Sequence, residues 1–162
     1  MKRTLTAAAM ILAATAVTAV AQDDDDDDAP AAAAPAGGRT LTLGFAGLMD
    51  RGNTTDLDPI QLTAGALSGG PYQLQSGGNY RIDMASDGTQ EIAVEGPGFF
   101  RNVWVNEIVI NDIEVRPLGV DSIEFDDEGT VSMSFIAITP GQYEIRIRGT
   151  SGETQRAEFT IQ

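Results

Sequence analysis

Carboxylates are the side chains through which this chain could do chemistry. The sequence contains 24 Asp and Glu residues but no His and no Cys, so imidazole bases, thiol nucleophiles, and imidazole and thiolate metal ligands are missing. The serines lie mainly in Gly-rich turns, with no base beside them. Asp126 and Asp127 are adjacent, so in a strand they would point to opposite faces and could not act as an acid/base pair. The composition predicts a protein that is not an enzyme and that needs no cofactor.

The densest group of carboxylates outside the N-terminal region could bind a hard cation. Calcium takes about six to eight oxygen ligands, and this group offers several, although it lacks the Gly and terminal Glu spacing of an EF-hand. Runs of charge are more often solvated loops or protected edge strands. We therefore favour a solvated hairpin, and we keep a carboxylate metal site as the alternative. The group consists of Asp121, Glu124, Asp126, Asp127 and Glu128. Weak, unselective binding of divalent cations is expected of the run of six Asp at residues 23–28.

The N-terminal segment indicates export. Lys2 and Arg3 precede an apolar run that ends in small residues at Ala19-Val20-Ala21, which is typical of a signal peptide over residues 1–21. The run contains threonines and is shorter than the roughly 20 strongly apolar residues of a membrane anchor, so cleavage is the favoured interpretation. Residues 22–38 are Gln22, six Asp and an Ala/Pro-rich stretch, which predicts a disordered linker. We expect a periplasmic or secreted protein that is free of the membrane after cleavage.

Net charge limits the class of partner. Without the signal peptide, eight Arg and 24 acids remain, which gives 8 minus 24, or −16. Nucleic acid and anionic lipid would repel such a chain, whereas cations or a basic protein would be attracted. No Gly-rich segment follows a strand and opens a helix, so a nucleotide site is not predicted either.

Apolar side chains alternate with a period of two through much of residues 39–162, which predicts short, half-buried strands. Turn sequences rich in Gly separate these strands, so the pattern predicts one all-β domain, a β-sandwich with little or no helix. Residues 48–67 and 121–128 escape the pattern, and the latter would form a loop or an edge strand. The alternating positions are Leu41, Leu43 and Phe45; Tyr80, Ile82 and Met84; Ile92 and Val94; Val103 and Val105; Ile113 and Val115; Tyr143, Ile145 and Ile147; and Ala157, Phe159 and Ile161.

Two segments carry a resemblance to a known family. They are Gly98-Phe99-Phe100-Arg101-Asn102-Val103 and Pro140-Gly141-Gln142-Tyr143-Glu144-Ile145-Arg146-Ile147. Together with the Gly-rich turn at residues 76–82 and the segments at 121–135, they resemble the cupredoxins, the plastocyanin and azurin type of copper protein. The likeness covers about residues 72–162. It implies a Greek-key sandwich of eight strands in a periplasmic setting.

The copper ligands that the resemblance would imply are absent. Arg101 occupies the place of the first His ligand, and Ile147 occupies the place of the Cys. The following residues 148–155 contain no imidazole or thioether. A type 1 copper site needs two imidazoles and a thiolate, so the resemblance is to a degenerate domain without type 1 copper.

Three residues near the first of these segments are candidates for binding. Arg101 could offer its guanidinium fork to a carboxylate of a ligand or partner, although we favour a salt bridge to an acid of the same domain. Phe100 and Trp104 could form an aromatic contact patch, although core packing is favoured for Trp104 and one of the two Phe residues.

The sequence as a whole predicts an exported binding or accessory module. Its partner would be a periplasmic protein, such as a basic redox or copper-related protein. The alternative is a metal-handling protein that uses carboxylates.

Overall fold

The computed structural model describes residues 43–162. The predicted signal peptide at 1–21, the linker at 22–38 and the first residues of the domain, including Leu41, lie outside the described residues. All described residues belong to one compact unit. Within them, no helix has the length and apolar character needed to cross a membrane.

Strands dominate the described part of the chain. The helical elements are α1, Pro97–Phe100, and three 3-10 turns at Gly47–Met49, Arg51–Asn53 and Glu153–Gln155. The strands are β1 Thr54–Asp56, β2 Ile60–Thr63, β3 Ala66–Ser68, β4 Tyr72–Leu74, β5 Asn79–Ser86, β6 Ile92–Glu95, β7 Val103–Ile110, β8 Ile113–Val115, β9 Ser122–Phe125, β10 Gly129–Ala137, β11 Gly141–Ile147 and β12 Arg156–Ile161.

These strands form two mixed sheets. The seven-stranded sheet has the order β3-β2-β5-β10-β7-β8, with β1 also paired to β5, and the five-stranded sheet has the order β4-β12-β11-β6-β9. β10 is antiparallel to both β5 and β7, whereas β4 runs parallel to β12. The prediction of an all-β sandwich is confirmed. The described residues contain twelve strands instead of the eight that the resemblance implied, because short segments such as β1, β3 and β8 add to the seven-stranded sheet.

The core lies between the sheets and is closed by α1. Phe99, from α1, is fully buried. Its ring centroid lies 4.3 Å from that of Phe159 in the five-stranded sheet and 5.3 Å from that of Phe135 in the seven-stranded sheet. Ile82 of β5 and Ile145 of β11 are also buried, as their alternation predicted. One side chain from a single helical turn therefore joins both layers.

Three predictions about strands need correction. Leu43 and Phe45 are exposed and do not lie in a strand, because apolar alternation alone does not provide a pairing partner. Residues 48–67, which lack clear alternation, contain β1, β2 and the start of β3, since strands of three or four residues are too short to display a period. Ile113 and Val115 do lie in a strand, but both are exposed, because β8 is at the edge of its sheet.

Candidate functional site

The two positions assigned to copper ligands do not lie at the same end of the sandwich. The carbonyl of Asn102, next to Arg101, accepts hydrogen bonds from the N–H groups of Ile138 and Thr139 at 3.1 Å each. Arg101 is therefore close to the start of β11, whereas Ile147 is its last residue. The six residues of β11 that follow Gly141 span roughly 20 Å in an extended strand, and this length separates Ile147 from the end near Arg101. Arg101 and Ile147 therefore do not form one degenerate site. Residues 97–100 form the turn of α1, with Pro97 in its first turn, and β7 begins at Val103.

The candidate binding residues around α1 also have different surroundings from those expected. Arg101 is exposed, and no carboxylate among residues 43–162 lies within ion-pair distance of it, so the favoured salt bridge is wrong. Phe100 is buried beside Phe99, so its assignment to a contact patch is wrong. Trp104 is 50% exposed, so core packing is wrong for this residue. Of the three candidates, Arg101 and Trp104 remain accessible to a partner.

The end of the sandwich near Ile147 carries a group of carboxylates. Ile92 at the start of β6 pairs with Phe125 at the end of β9, so Glu91 and Asp126 flank the same pair. Carboxylate oxygens of Glu91, Glu124 and Asp126 all lie within 4.8 Å of one another. The loop that contains Gly88 lies close to the loop that contains Glu128. A Cβ at position 88 would lie only 2.7 Å from the backbone N of Glu128, and Gly88 has a φ of +69°. We call this group the acidic end: Asp87, Glu91, Glu124, Asp126, Asp127 and Glu128.

The sequence identified only part of the acidic end. Glu124, Asp126, Asp127 and Glu128 were predicted from their density in the chain. Asp87 and Glu91 were missed because each is an isolated acid in the sequence, and Glu91 becomes a member only through the pairing of β6 with β9. The sequence does place Glu91 directly before the predicted strand of Ile92 and Val94. The sequence alone does not predict that this strand pairs with the segment that contains Glu124.

Asp121 does not belong to this group. It lies at the other end of β9, where its carboxylate is 3.7 Å from Arg148. The predicted solvated hairpin also needs correction, because β9 and β10 belong to different sheets and residues 126–128 connect the layers. The prediction of an edge strand is confirmed, since β9 is at the edge of the five-stranded sheet.

Mutual repulsion affects the protonation of the acidic end. A hydrogen bond to Glu124, together with the negative charges of Glu124 and Asp126, raises the pKa of Glu91 above its ordinary value. Asp87 behaves in the opposite way. The hydroxyl and the backbone N–H of Thr89 donate hydrogen bonds to its carboxylate at 2.7 and 3.0 Å, and these bonds lower the pKa of Asp87. The loop of residues 87–91 therefore carries one carboxyl group, Asp87, that loses its proton more readily than usual and another, Glu91, that loses it less readily.

A second polar feature lies on the outer face of the five-stranded sheet. An open cavity of about 650 Å³ is bordered by α1 and by outward side chains of β11 and β12. Arg146 bonds to Glu144 and donates a hydrogen bond of 2.7 Å to the carbonyl of Thr150. Arg156 contacts Glu144, Glu153 and Glu158. Because carboxylates already neutralise both guanidinium groups, the cavity offers no free cation to an anionic ligand.

Comparisons with known proteins identify the fold. No protein-family model and no curated protein matches the sequence. Solved structures that are similar to the domain include the following three. A multicopper oxidase has a TM-score of 0.51 at 10% identity, over 65% of this chain and 44% of that one. A multi-copper oxidase from Pseudomonas Thermotolerans has a TM-score of 0.53 at 13% identity, over 70% and 31%. The laccase-like multi-copper oxidase CueO from Ochrobactrum sp. has a TM-score of 0.52 at 9% identity, over 70% and 32%.

These similarities establish a cupredoxin-like fold. At such low identity they concern the fold alone, and the chain matches less than half the length of each of these oxidases. The chain contains neither Cys nor His, so it lacks the ligand set of a type 1 copper site.

Proposed function

We propose that this cupredoxin-like domain is an exported binding module, without type 1 copper, that docks a basic protein partner through its acidic end. One observation supports the proposal most directly. Six carboxylates, five from two adjoining loops and one from the end of β9, share one end of the sandwich, and none of them forms an ion pair with an Arg among the described residues. Unpaired charge of one sign creates a field that attracts a partner of the opposite sign.

The charge of the rest of the domain has the same sign. Residues 43–162 contain 7 Arg and 18 acids, which gives 7 minus 18, or −11. Arg81, Arg116, Arg146, Arg148 and Arg156 are engaged in ion pairs. Complementary charge mainly accelerates association and selects the partner. The N-terminal segment that is typical of a signal peptide supports export, and the six Asp residues at 23–28 add charge of the same sign.

The proposal is tested by binding to a small basic protein, with cytochrome c as the probe. The mature chain, residues 22–162, is titrated at low salt and again at about 0.5 M salt, where the Debye length falls to ~4 Å. The double variant Glu124→Gln, Asp126→Asn removes two charges from the acidic end. A matched control, Asp56→Asn with Asp58→Asn, removes two exposed charges beside β1.

We expect the acidic-end variant to weaken binding about three- to tenfold, the matched control to change it less than twofold, and high salt to abolish it. Equal losses in the two variants would mean that net charge acts without a docking site. Binding that is insensitive to salt would contradict the proposal altogether.

Carboxylate-based cation binding is the second candidate function. The close approach of the oxygens of Glu91, Glu124 and Asp126 favours it, because hard cations are bound by such oxygens. Calcium, zinc and copper in both oxidation states are titrated into the mature chain, purified without chelator. Stoichiometric binding tighter than about 1 μM, or ~8 kcal/mol, that is lost in the Glu124→Gln, Asp126→Asn variant would establish this function. Weak binding that is unchanged in the variant would reject it.

A further inference from the structure

The hairpin of β7 and β8 presents an edge that no other described strand covers. Asn111 and Asp112 both have positive φ, 48° and 63°, as the two central residues of a tight hairpin turn of type I′ require. This turn places β8 at the end of the seven-stranded sheet, where within residues 43–162 it pairs with β7 alone. The outer N–H and C=O groups of a strand in that position can pair with a further strand.

One face of the hairpin is apolar and open. Ile110 pairs with Ile113, and Ile108 pairs with Val115, so the four side chains share a face. Ile108 is buried, but Ile110, Ile113 and Val115 are 40%, 65% and 43% exposed. The apolar face of β7 that packs on the core therefore extends onto β8, where it is exposed to solvent.

The opposite face of the hairpin is mainly acidic. Glu114 pairs with Val109, and Glu107 lies two residues before Val109 on the same side. Arg116 contacts Glu107 at 2.7 Å and Glu114 at 3.5 Å, which leaves one negative charge in excess. The open edge thus alternates between apolar side chains on one face and a carboxylate on the other.

This alternation disfavours a second copy as the occupant of the edge. If β8 paired with itself around its central residue, Glu114 would lie opposite Glu114 of the other copy, and like charges in that position are destabilising. The net charge of −11 on each described domain would add to the repulsion. A basic extended segment would be attracted both by Glu114 and by the net negative charge of the domain.

We propose that β8 accepts an extended segment of the basic partner by strand addition, with alternate apolar residues on Ile113 and Val115 and a Lys or Arg residue beside Glu114. The inference rests on the proposed function, which supplies the basic character of the partner. In strand addition the main-chain hydrogen bonds provide affinity and the alternate side chains provide specificity. The acidic end would attract the partner at long range, and the hairpin would hold it.

The test uses a synthetic peptide of seven residues that alternates lysine and valine, with both ends blocked. A peptide of the same composition, with its valines in one block, is the control ligand. Val115→Lys puts a charge on the apolar face of the edge. Ile138→Lys makes the same change of charge at another exposed apolar residue, just beyond β10. Affinity is measured by fluorescence anisotropy of the labelled peptide.

We expect the alternating peptide to bind at least tenfold more tightly than the block peptide. Val115→Lys should lose at least tenfold in affinity, and Ile138→Lys less than twofold. Equal affinity of the wild type and Val115→Lys would overturn the proposal. If Val115→Lys does not fold, Glu114→Lys, at an exposed position, takes its place with the same expected loss.

The outcome is separable from that of the proposed function. If the acidic-end variant weakens cytochrome c binding while Val115→Lys leaves peptide binding unchanged, the strand-addition proposal fails and the docking function stands. If only Val115→Lys matters, the hairpin binds without help from the acidic end. A dimer in sedimentation that Val115→Lys abolishes would assign the edge to a second copy and overturn the proposal.

Discussion

Arg146 and Arg156 face each other directly across β11 and β12, and both contact the carboxylate of Glu144. Like charges in opposed positions of a sheet repel, so these strands depend on a shared counter-ion. Glu144 is itself opposed by Glu158, which contacts Arg156 at 2.9 Å. Residues directly opposite each other across the two strands therefore have like charges and repel. The contacts along β11, along β12 and on the diagonal from Arg156 to Glu144 join opposite charges and attract.

Glu144→Gln should destabilise the domain by about 1 kcal/mol, because two opposed, partly buried guanidinium groups lose their common carboxylate. Glu158→Gln is the matched control, and it should change stability little, since it removes an attraction to Arg156 and a repulsion of Glu144 together. Urea unfolding measures both variants. Equal effects at the two positions would contradict the special role of Glu144.

Phe99→Ala should cost about 3–5 kcal/mol of folding stability, which is the usual effect of removing a buried Phe ring. The ring joins the two sheets through Phe135 and Phe159, and the four-residue helix α1 has no other fully buried side chain. Phe45→Ala, at an exposed residue, should leave the urea midpoint unchanged. A loss below 1 kcal/mol for Phe99→Ala would mean that the core does not depend on α1.

Glu91→Gln should stabilise the domain at neutral pH and have no effect at about pH 3. The native pKa of Glu91 is raised above 4.5, so the native state holds this proton more tightly than the unfolded chain does. The associated stability is present at low pH and is lost as the pH rises through the raised pKa. Thermal unfolding between pH 3 and 7 measures the difference, and a variant that is less stable than the wild type at pH 7 would refute the prediction.

Tyr72→Phe should make the domain less sensitive to alkali. Burial, with a smaller contribution from the charge of Asp58, raises the pKa of Tyr72 from 10.0 to about 12. The stability linked to this proton is complete below pH 10 and is lost as the pH rises from about 10 through 12. The variant keeps the ring stacked 4.8 Å from Phe159 but loses the hydroxyl that donates to the carbonyl of Asp58. Urea midpoints between pH 8 and 12 should fall less steeply than in the wild type, and parallel curves would be inconsistent with this.

Trp104 should show the fluorescence of a solvated indole. It is the only Trp in the chain and is half exposed, so its emission should be shifted to long wavelength and acrylamide should quench it readily in the folded protein. The unfolded protein in urea is the reference, and the change on folding should be small. A blue-shifted emission protected from quenching would place Trp104 in the core instead.

Much of the sandwich could be predicted from the chain because its longer strands alternate. Ile82 and Met84 in β5, and Ile145 in β11, are buried as their spacing required. The alternation at Leu43 and Phe45 predicted a strand that does not form, because a strand also needs a neighbour with which to exchange hydrogen bonds. Strands as short as β1 and β3 give no period, and only their pairing reveals them.

The candidate sites depended more heavily on tertiary structure. The motif that includes Arg101 looked like half of a copper site, but residues 97–100 form a helical turn, and the residue lies far from Ile147. Glu91 became part of the acidic end through the register of β6 and β9 alone. The open face of Ile113 and Val115 could not be inferred either, because exposure follows from the position of β8 at the edge of its sheet.

Composition and alternation in the sequence by itself determined three properties: the all-β class, the strong negative charge, and the absence of the His and Cys that type 1 copper requires. These depend only on which residues are present and on their local period. The tertiary structure decided which carboxylates meet, which arginines are neutralised, and which apolar residues remain uncovered. Each of these depends on contacts between strands distant in the chain, and such contacts are set by the register of the sheets and by the burial of one common core.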